Sequence, residues 1–219
     1  MSKIITTDMD DVLVHIATPW VRKALKRPNI QNAIGHLLKD DDTLQERVLN
    51  RKEPYIQEWL VNEFHLPRKL VDEVNLVYRA DPTFYDDLLP TPICLGFINA
   101  LSLPGRVAAL HVITLNFNND DPCVESKNRW LDRIFTGNSR VHIHNLNAGE
   151  KKSDCLKQHC PEPTIFVDDT LKNVVDILLC DDVKPEEILI PKMGHNPAHI
   201  VDGLAHIRKI NLTYYENVV

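Results

Sequence analysis

Residues 3–14 read KIITTDMDDVLV. The first five carry two isoleucines and two threonines, β-branched residues that suit a buried strand. Three carboxylates follow within four positions, Asp8, Asp10 and Asp11, and then the chain turns apolar again. Aspartate favours helix N-termini, so capping explains an acid placed before a helix. It does not explain Asp8 and Asp10 directly after a strand. The stretch predicts a strand over residues 3–8 that delivers carboxylates to a site.

The remaining pattern says which sheet that strand joins. From about residue 90 helical and strand patterns alternate. TPICLGFINALS reads as helix, RVAALHVIT as a buried strand, ESKNRWLDRIF as helix and RVHIHN as strand. KKSDCLKQH is a short helix, TIFVDD a strand, TLKNVVDILLC a helix, EEILIP a strand and AHIVDGLAHIRKI a final helix. Strands alternating with helices imply an α/β fold, a parallel sheet flanked by helices on both faces.

Residues 15–89 interrupt that order. They lack strand signal and hold five amphipathic stretches, TPWVRKALKR, IQNAIGHLLKD, TLQERVLNRK, PYIQEWLVNEFH and RKLVDEVNLVYRA. In the fourth, Ile56, Trp59, Leu60 and Phe64 fall at helical spacing, and Pro54 sits where a first-turn proline is tolerated. The chain therefore divides into a core of residues 1–14 and 90–219 and a helical insert of residues 15–89.

The totals fit this division. A chain of 219 residues suits one domain with an insertion. Its 43% apolar and 26% charged content is that of a soluble globular protein. A net charge of -6 argues against broad binding to polymeric nucleic acid or to anionic membranes. No apolar run approaches the roughly 18 residues of a membrane helix, and no signal-peptide pattern opens the chain. The cysteines, Cys94, Cys123, Cys155, Cys160 and Cys180, are odd in number, and Cys155 and Cys160 lack the usual zinc-ligand spacing. Reduced thiols in a cytoplasmic protein are the expectation.

In open parallel sheets ligands bind beyond the carboxyl ends of the strands. There this chain places Asp8 and Asp10, then Thr114 at the end of AALHVIT, then Asp168 and Asp169 after TIFV. Clustered carboxylates repel one another and are costly to desolvate without a cation among them. A hard divalent ion with oxygen ligands answers that need, and Mg²⁺ is the common one.

These residues carry a resemblance. DMDDVL resembles the first motif of the haloacid dehalogenase (HAD) superfamily, HVITLN its second and FVDD its fourth, in the same order. The insert lies where that superfamily places a helical C1-type cap after the first strand of a HAD-like Rossmannoid core. FYDDLLPTPICLGFINALS, KNRWLDRIF and FVDDTLKNV are similar to the 5'(3')-deoxyribonucleotidase (C-type 5'-nucleotidase) family. The resemblance implies Asp8 as nucleophile, Asp10 as general acid and then base, and Thr114 as a phosphate ligand. It places Mg²⁺ on Asp8, Asp10 (through its carbonyl) and Asp168 or Asp169. The superfamily's lysine, which offsets phosphate charge, is matched by Lys152 at the start of its helix, with Lys151 and Lys157 as the alternatives.

One departure bears on substrate. The nucleotidase family has an aromatic residue eight positions after its nucleophile, and this chain has Ile16 there, beside His15. Trp20, Tyr55, Trp59, Tyr78, Phe84 and Tyr85 of the insert could supply an aromatic platform, and Ile16, Tyr55, Trp59 and Tyr78 are the candidate substrate-binding residues. His142 and His144 share one face of a strand and hint at metal, but without a third ligand they read as structural. The expected activity is Mg²⁺-dependent phosphomonoester hydrolysis through an aspartyl phosphate, on (deoxy)nucleoside monophosphates. The alternatives are another small phosphometabolite such as a sugar phosphate, or a non-catalytic HAD-like binding module. The expected partner is a small phosphorylated molecule. The oligomeric state stays open, a homodimer included.

Overall fold

The computed structural model describes residues 2–38, 41–204 and 211–215. Strand β1 (Lys3–Thr7) leads into five helices, α1 (Ala17–Leu25), α2 (Pro28–Ile34), α3 (Asp41–Leu49), α4 (Ile56–Phe64) and α5 (Arg68–Arg79). Then come α6 (Pro92–Ser102), β2 (Val107–Asn116), α7 (Pro122–Phe135), β3 (Val141–Asn147) and α8 (Lys152–His159). The chain continues through β4 (Ile165–Val167), α9 (Leu171–Leu179), β5 (Glu187–Pro191), α10 (Ala198–Leu204) and β6 (Asn211–Tyr215). The six strands form one parallel sheet in the order β3-β2-β1-β4-β5-β6.

Register explains where the acids go. Thr7 of β1 pairs with Val112 of β2 on one side and Val167 of β4 on the other. The next residue of β1 is Asp8 and the next of β4 is Asp168, so the two carboxylates leave adjacent strands at one level. The backbone N–H of Asp8 donates to the carbonyl of Val167 at 2.8 Å and fixes that alignment. Alternation along β2 places Val112 in one apolar cluster and Ile113 in the other. The Val112 cluster also holds Trp20, Leu60 and Val74 of the insert, so α1, α4 and α5 bury their apolar stripes in the same core.

Several boundaries differ from the sequence reading. β1 ends at Thr7, and β2 runs past Thr114 to Asn116. The sixth strand, NLTYY, was not expected; five residues at a sheet edge give little periodicity to read. Helix α4 starts at Ile56 with Tyr55 as its cap residue, so Pro54 precedes the cap instead of occupying the first turn. The expected continuation of the last helix over residues 205–210 lies outside the described residues.

One glycine ties the insert to the core. A Cβ on Gly194 would overlap the backbone of Asn50 and Arg51 just after α3, and the Gly194 N–H donates to the Leu49 carbonyl at 2.9 Å. Only glycine permits so close an approach of two backbones.

Candidate active site

After Asp8 the chain makes a tight turn. The N–H of Leu13 donates to the Met9 carbonyl at 2.8 Å, and that of Asp11 to the Val14 carbonyl at 2.7 Å. Met9, Val12, Leu13 and Val14 are fully buried and anchor the turn. Asp11 adopts φ 56°, a left-handed conformation that aspartate tolerates better than most residues. Its Oδ1 accepts from the amides of Ile16 (2.9 Å) and Ala17 (3.2 Å), and its Oδ2 lies 3.3 Å from buried Arg51. Hydrogen bonds and charge from His15, then the Arg51 guanidinium and the Ile16 amide, outweigh burial and hold the Asp11 carboxyl below the usual range. Asp11 thus acts as an anchor at the start of α1.

Asp8 and Asp10 project to the carboxyl ends of the strands. Asp8 Oδ1 accepts from the Met9 amide and lies beside Lys152 Nζ, both at 2.8 Å. Lys152 Nζ also donates to Asp168 Oδ2 at 2.7 Å. Burial pulls the Lys152 ammonium down, but Asp168 and Asp8 outweigh it and keep it charged. Lys151 is exposed and lies 3.9 Å from Asp176, and Lys157 is solvated between Asp154 and Asp182. Of the three lysines, only Lys152 reaches the carboxylates.

The paired acids after β4 have different surroundings. Asp168 is fully buried and accepts from the Thr170 amide (2.8 Å), from Asn173 Nδ2 (3.1 Å) and from Lys152. Asp169 faces the cavity, with Thr170 Oγ1 at 3.5 Å and His195 Nε2 at 3.7 Å. Burial, then the charges of Asp8 and Asp11, push the Asp169 carboxyl well up. Burial likewise raises Asp8 and Asp168, against the pull of Lys152. Burial, with Arg51 next, drives His195 down to about 4, so that imidazole brings no positive charge.

Asp8, Asp168 and Asp169 offer oxygens within 4.8 Å of one another. Three carboxylates around one ammonium leave two formal negative charges, which matches a hard divalent cation bound by oxygen. The donor set therefore fits a metal ion of that kind.

The second aspartate has its own cation, one the sequence reading missed. Lys127 of α7 is 2% exposed, and its Nζ donates to Asp10 Oδ2 (2.8 Å), Thr114 Oγ1 (2.9 Å) and Asn116 Oδ1 (3.0 Å). Thr114 and Asn116 lie two apart on β2 and so present one face to it. Tyr85 OH donates to Asp10 Oδ1 at 3.0 Å, and Tyr78 OH pairs with Tyr85 OH at 2.9 Å. Burial raises the Asp10 carboxyl, more than Lys127 lowers it. The sequence did carry a signal for Lys127: Cys123, Val124, Lys127, Trp130 and Leu131 form the buried stripe of α7. A lysine on such a stripe needs a charged partner.

A cavity of about 670 Å³ opens above these groups. Asp8, Asp10, Lys127, Lys152 and Asp169 line its floor, and Ile16, Tyr55, Tyr78 and Arg68 line it from the insert. The expected substrate-binding residues divide accordingly. Tyr55 is 48% exposed, with its ring open to the cavity, and Ile16 is half-buried on the same wall. Tyr78 is buried edge-on against Phe84 (4.6 Å), its hydroxyl tied to Tyr85, and so supports Asp10 and offers no stacking face. Trp59 is buried edge-on against Phe64 (5.0 Å) and lies outside the cavity lining; packing in the insert claims it. Thr114 also lies behind the wall, fully buried, and reaches the site only through Lys127. Phe117, just past β2, is 50% exposed and lines the cavity, an aromatic that no periodicity marked.

No family model matches the sequence, and no curated protein sequence matches it significantly. Solved structures do. A protein from Bacteroides fragilis described as haloacid dehalogenase-like matches at 11% identity and TM-score 0.51, covering 99% of this chain and 98% of that one. A dehalogenase in an intermediate complex (13% identity, TM-score 0.49) covers 99% of this chain and 93% of its own. A phosphoserine phosphatase in apo form (13%, TM-score 0.45) covers 99% and 96%. The chain has a haloacid dehalogenase-like α/β fold.

Proposed function

We propose that this chain is a Mg²⁺-dependent phosphatase of small phosphate monoesters. The observation that carries the reading is the pairing of Asp8 and Asp10 on one turn, the first buried and the second half-buried, each held by its own buried lysine. In this reading Asp8 attacks phosphorus. Its bonds to Met9 and Lys152 both fall on Oδ1, which leaves Oδ2 to form the phosphoryl bond. Asp10, raised by burial, gives its proton to the leaving alkoxide. Lys127 and Tyr85 then stabilise the carboxylate that remains. The same carboxylate takes a proton from the water that hydrolyses the aspartyl phosphate, and inorganic phosphate leaves with Asp8 restored.

Asp8 and Asp169 would hold Mg²⁺, with the Asp10 carbonyl, while Asp168 acts as the anchor of Lys152. The ion would supply charge neutralisation between the anionic nucleophile and the phosphate. Lys152 and Lys127 bind the phosphate oxygens from two sides, the role that the resemblance implied for Thr114 and Lys152. Residues 15–89 act as a cap that excludes water and selects substrate.

Within that class we infer a nucleoside monophosphate, because Tyr55 offers an exposed ring on the cavity wall for a base to stack on, and Phe117 a half-exposed one with the Arg79 guanidinium over one face at 5.1 Å. A sugar phosphate is the second reading, favoured by Gln57 and Asn75, paired at 3.2 Å on the same lining. The test is phosphate release from a panel of nucleoside monophosphates, sugar phosphates and p-nitrophenyl phosphate with Mg²⁺, using Asp8→Asn as control. Release by the natural chain and none by the variant is expected. Equal release by both, or none from any substrate, overturns the phosphatase reading.

A further inference from the structure

A second cluster of metal-binding groups begins one helical turn past Lys152 on α8 and is chemically unlike the carboxylates. Cys155 and His159 stand four residues apart on α8, the spacing that puts two side chains on one helix face. His144 of β3 comes up beside them. One donor atom from each of His144, Cys155 and His159 lies within 4.8 Å of the others. The His144 and His159 rings are 4.6 Å apart by centroid.

A further imidazole steadies His144. His111 of β2 stacks on it with planes 5° apart, and His111 Nδ1 lies 3.0 Å from His144 Nε2. His142 packs on His111 at 4.8 Å. Hydrogen bonds of this kind orient metal-ligating histidines. The sequence offered His142 and His144 as a pair without a third ligand. The fold supplies two more donors from a helix rather than from the strand.

We propose that His144, Cys155 and His159 form a second metal site, for a borderline ion of the Zn²⁺ class. Thiolate and imidazole select such ions over Mg²⁺, which prefers oxygen. Zn–N distances of about 2.0–2.1 Å and Zn–S of about 2.3 Å put tetrahedral donors roughly 3.3–3.6 Å apart. Donors within 4.8 Å of one another must draw together by up to roughly 1.2–1.5 Å for such bond lengths. His159, exposed at the end of α8, can swing in while the strand and helix stay in place. A water fills the fourth position on the exposed side. Binding converts the Cys155 thiol to a thiolate and releases one proton to solvent. The proposal stands independently of the reaction assigned to the carboxylates.

The test titrates the chelator-stripped full chain with Co²⁺ in a non-thiol reductant. Expected are a thiolate-to-cobalt charge-transfer band and the strong visible bands of tetrahedral cobalt, saturating at one equivalent. Stoichiometric Zn²⁺ should bleach both, and a hundredfold excess of Mg²⁺ should not. Cobalt bound at the carboxylates gives no thiolate band, so the two sites are distinguishable. Cys155→Ser should remove the charge-transfer band. His159→Ala, an exposed change that removes one of three protein ligands, should weaken cobalt binding by at least the roughly 10- to 100-fold that loss of an outer-shell partner brings, with the fold intact. Absence of the band in the natural chain, its persistence in Cys155→Ser, or unchanged affinity in His159→Ala overturns the assignment.

Discussion

Lys152 and Arg68 both line the cavity, and they are held in opposite ways. The Lys152 side chain is 1% exposed and fixed between Asp8 and Asp168. Arg68 stands on the insert with its side chain 59% exposed, paired with Asp72 one turn along the same helix. The contrast extends to their surroundings. On the floor, both lysines and Asp8 and Asp168 are buried, Asp10 is half-buried, and the lysines meet their acids at 2.7–2.8 Å. On the wall, Tyr55 and Ile16 present rings and methyls with open faces. A buried ion pair broken by removal of one partner is costly, so the floor cannot drift without losing its fold. An exposed pair is worth little, so the wall can. Fixed charges suit chemistry that needs preorganised electrostatics, and an adaptable wall suits substrate choice.

The largest expected effect is on the floor. Asp8→Asn is nearly isosteric and cannot form an aspartyl phosphate, so turnover should fall on the order of 10⁴-fold while the fold survives. Circular dichroism and phosphate release on one preparation check both halves. Chelation comes next: excess EDTA should abolish turnover and Mg²⁺ restore it, with Ca²⁺ a poor replacement because its looser coordination misplaces the phosphate. Full activity in EDTA would remove the metal from the floor and break the contrast between floor and wall.

Lys127→Met sharpens it. The substitution removes one electrostatic stabiliser and should lower kcat by about 10²-fold. Lys152→Met should also destabilise the fold, by about 3–5 kcal/mol, since it leaves Asp8 and Asp168 buried without their cation. Urea unfolding of both variants checks the difference. If the Lys152 variant unfolds like the natural chain, the floor is less rigid than its burial suggests.

Sequence legibility followed the same division. The acids on the floor were readable because strand ends fix their position: register alone brings Asp8 beside Asp168. Lys152 was offered by the resemblance, which puts a lysine at the start of this helix and left Lys151 and Lys157 as alternatives. Lys127 was overlooked because its partners, Asp10 and Thr114, lie 117 and 13 residues away in sequence. On the wall, Tyr55, Trp59 and Tyr78 looked alike, since all three are aromatic residues on amphipathic helices. Only packing separates them: Trp59 meets Phe64, Tyr78 meets Phe84 and Tyr85, and Tyr55 is left open. Which face of a helix turns inward is decided by neighbours that are remote in sequence.

Gly194 lets the two regions be tested at their join. Gly194→Ala forces a methyl against the backbone of Asn50 and Arg51, and overpacking of this kind costs about 1–3 kcal/mol. The loss should appear as a lower midpoint in urea. No loss would mean that the join between the insert and the core yields freely.

The smallest effect should come from the wall, and it decides whether the wall selects substrate at all. Tyr55 caps α4 without packing into the core, so Tyr55→Ala should leave stability nearly unchanged. If a base stacks on its ring, the loss is about 1–3 kcal/mol, or roughly 5- to 150-fold in kcat/KM for a nucleoside monophosphate. p-Nitrophenyl phosphate, which has no base or sugar to place, should lose much less. The informative quantity is therefore the ratio of the two kcat/KM values, because damage to the floor lowers both together and cancels. Phe117→Ala gives the matching measurement from the core side of the same cavity, and a shift in only one of the two variants would place the base. An unchanged ratio in both would mean that neither exposed ring touches substrate. The paired amides Gln57 and Asn75 would then be the recognition surface, and a sugar phosphate the better substrate class.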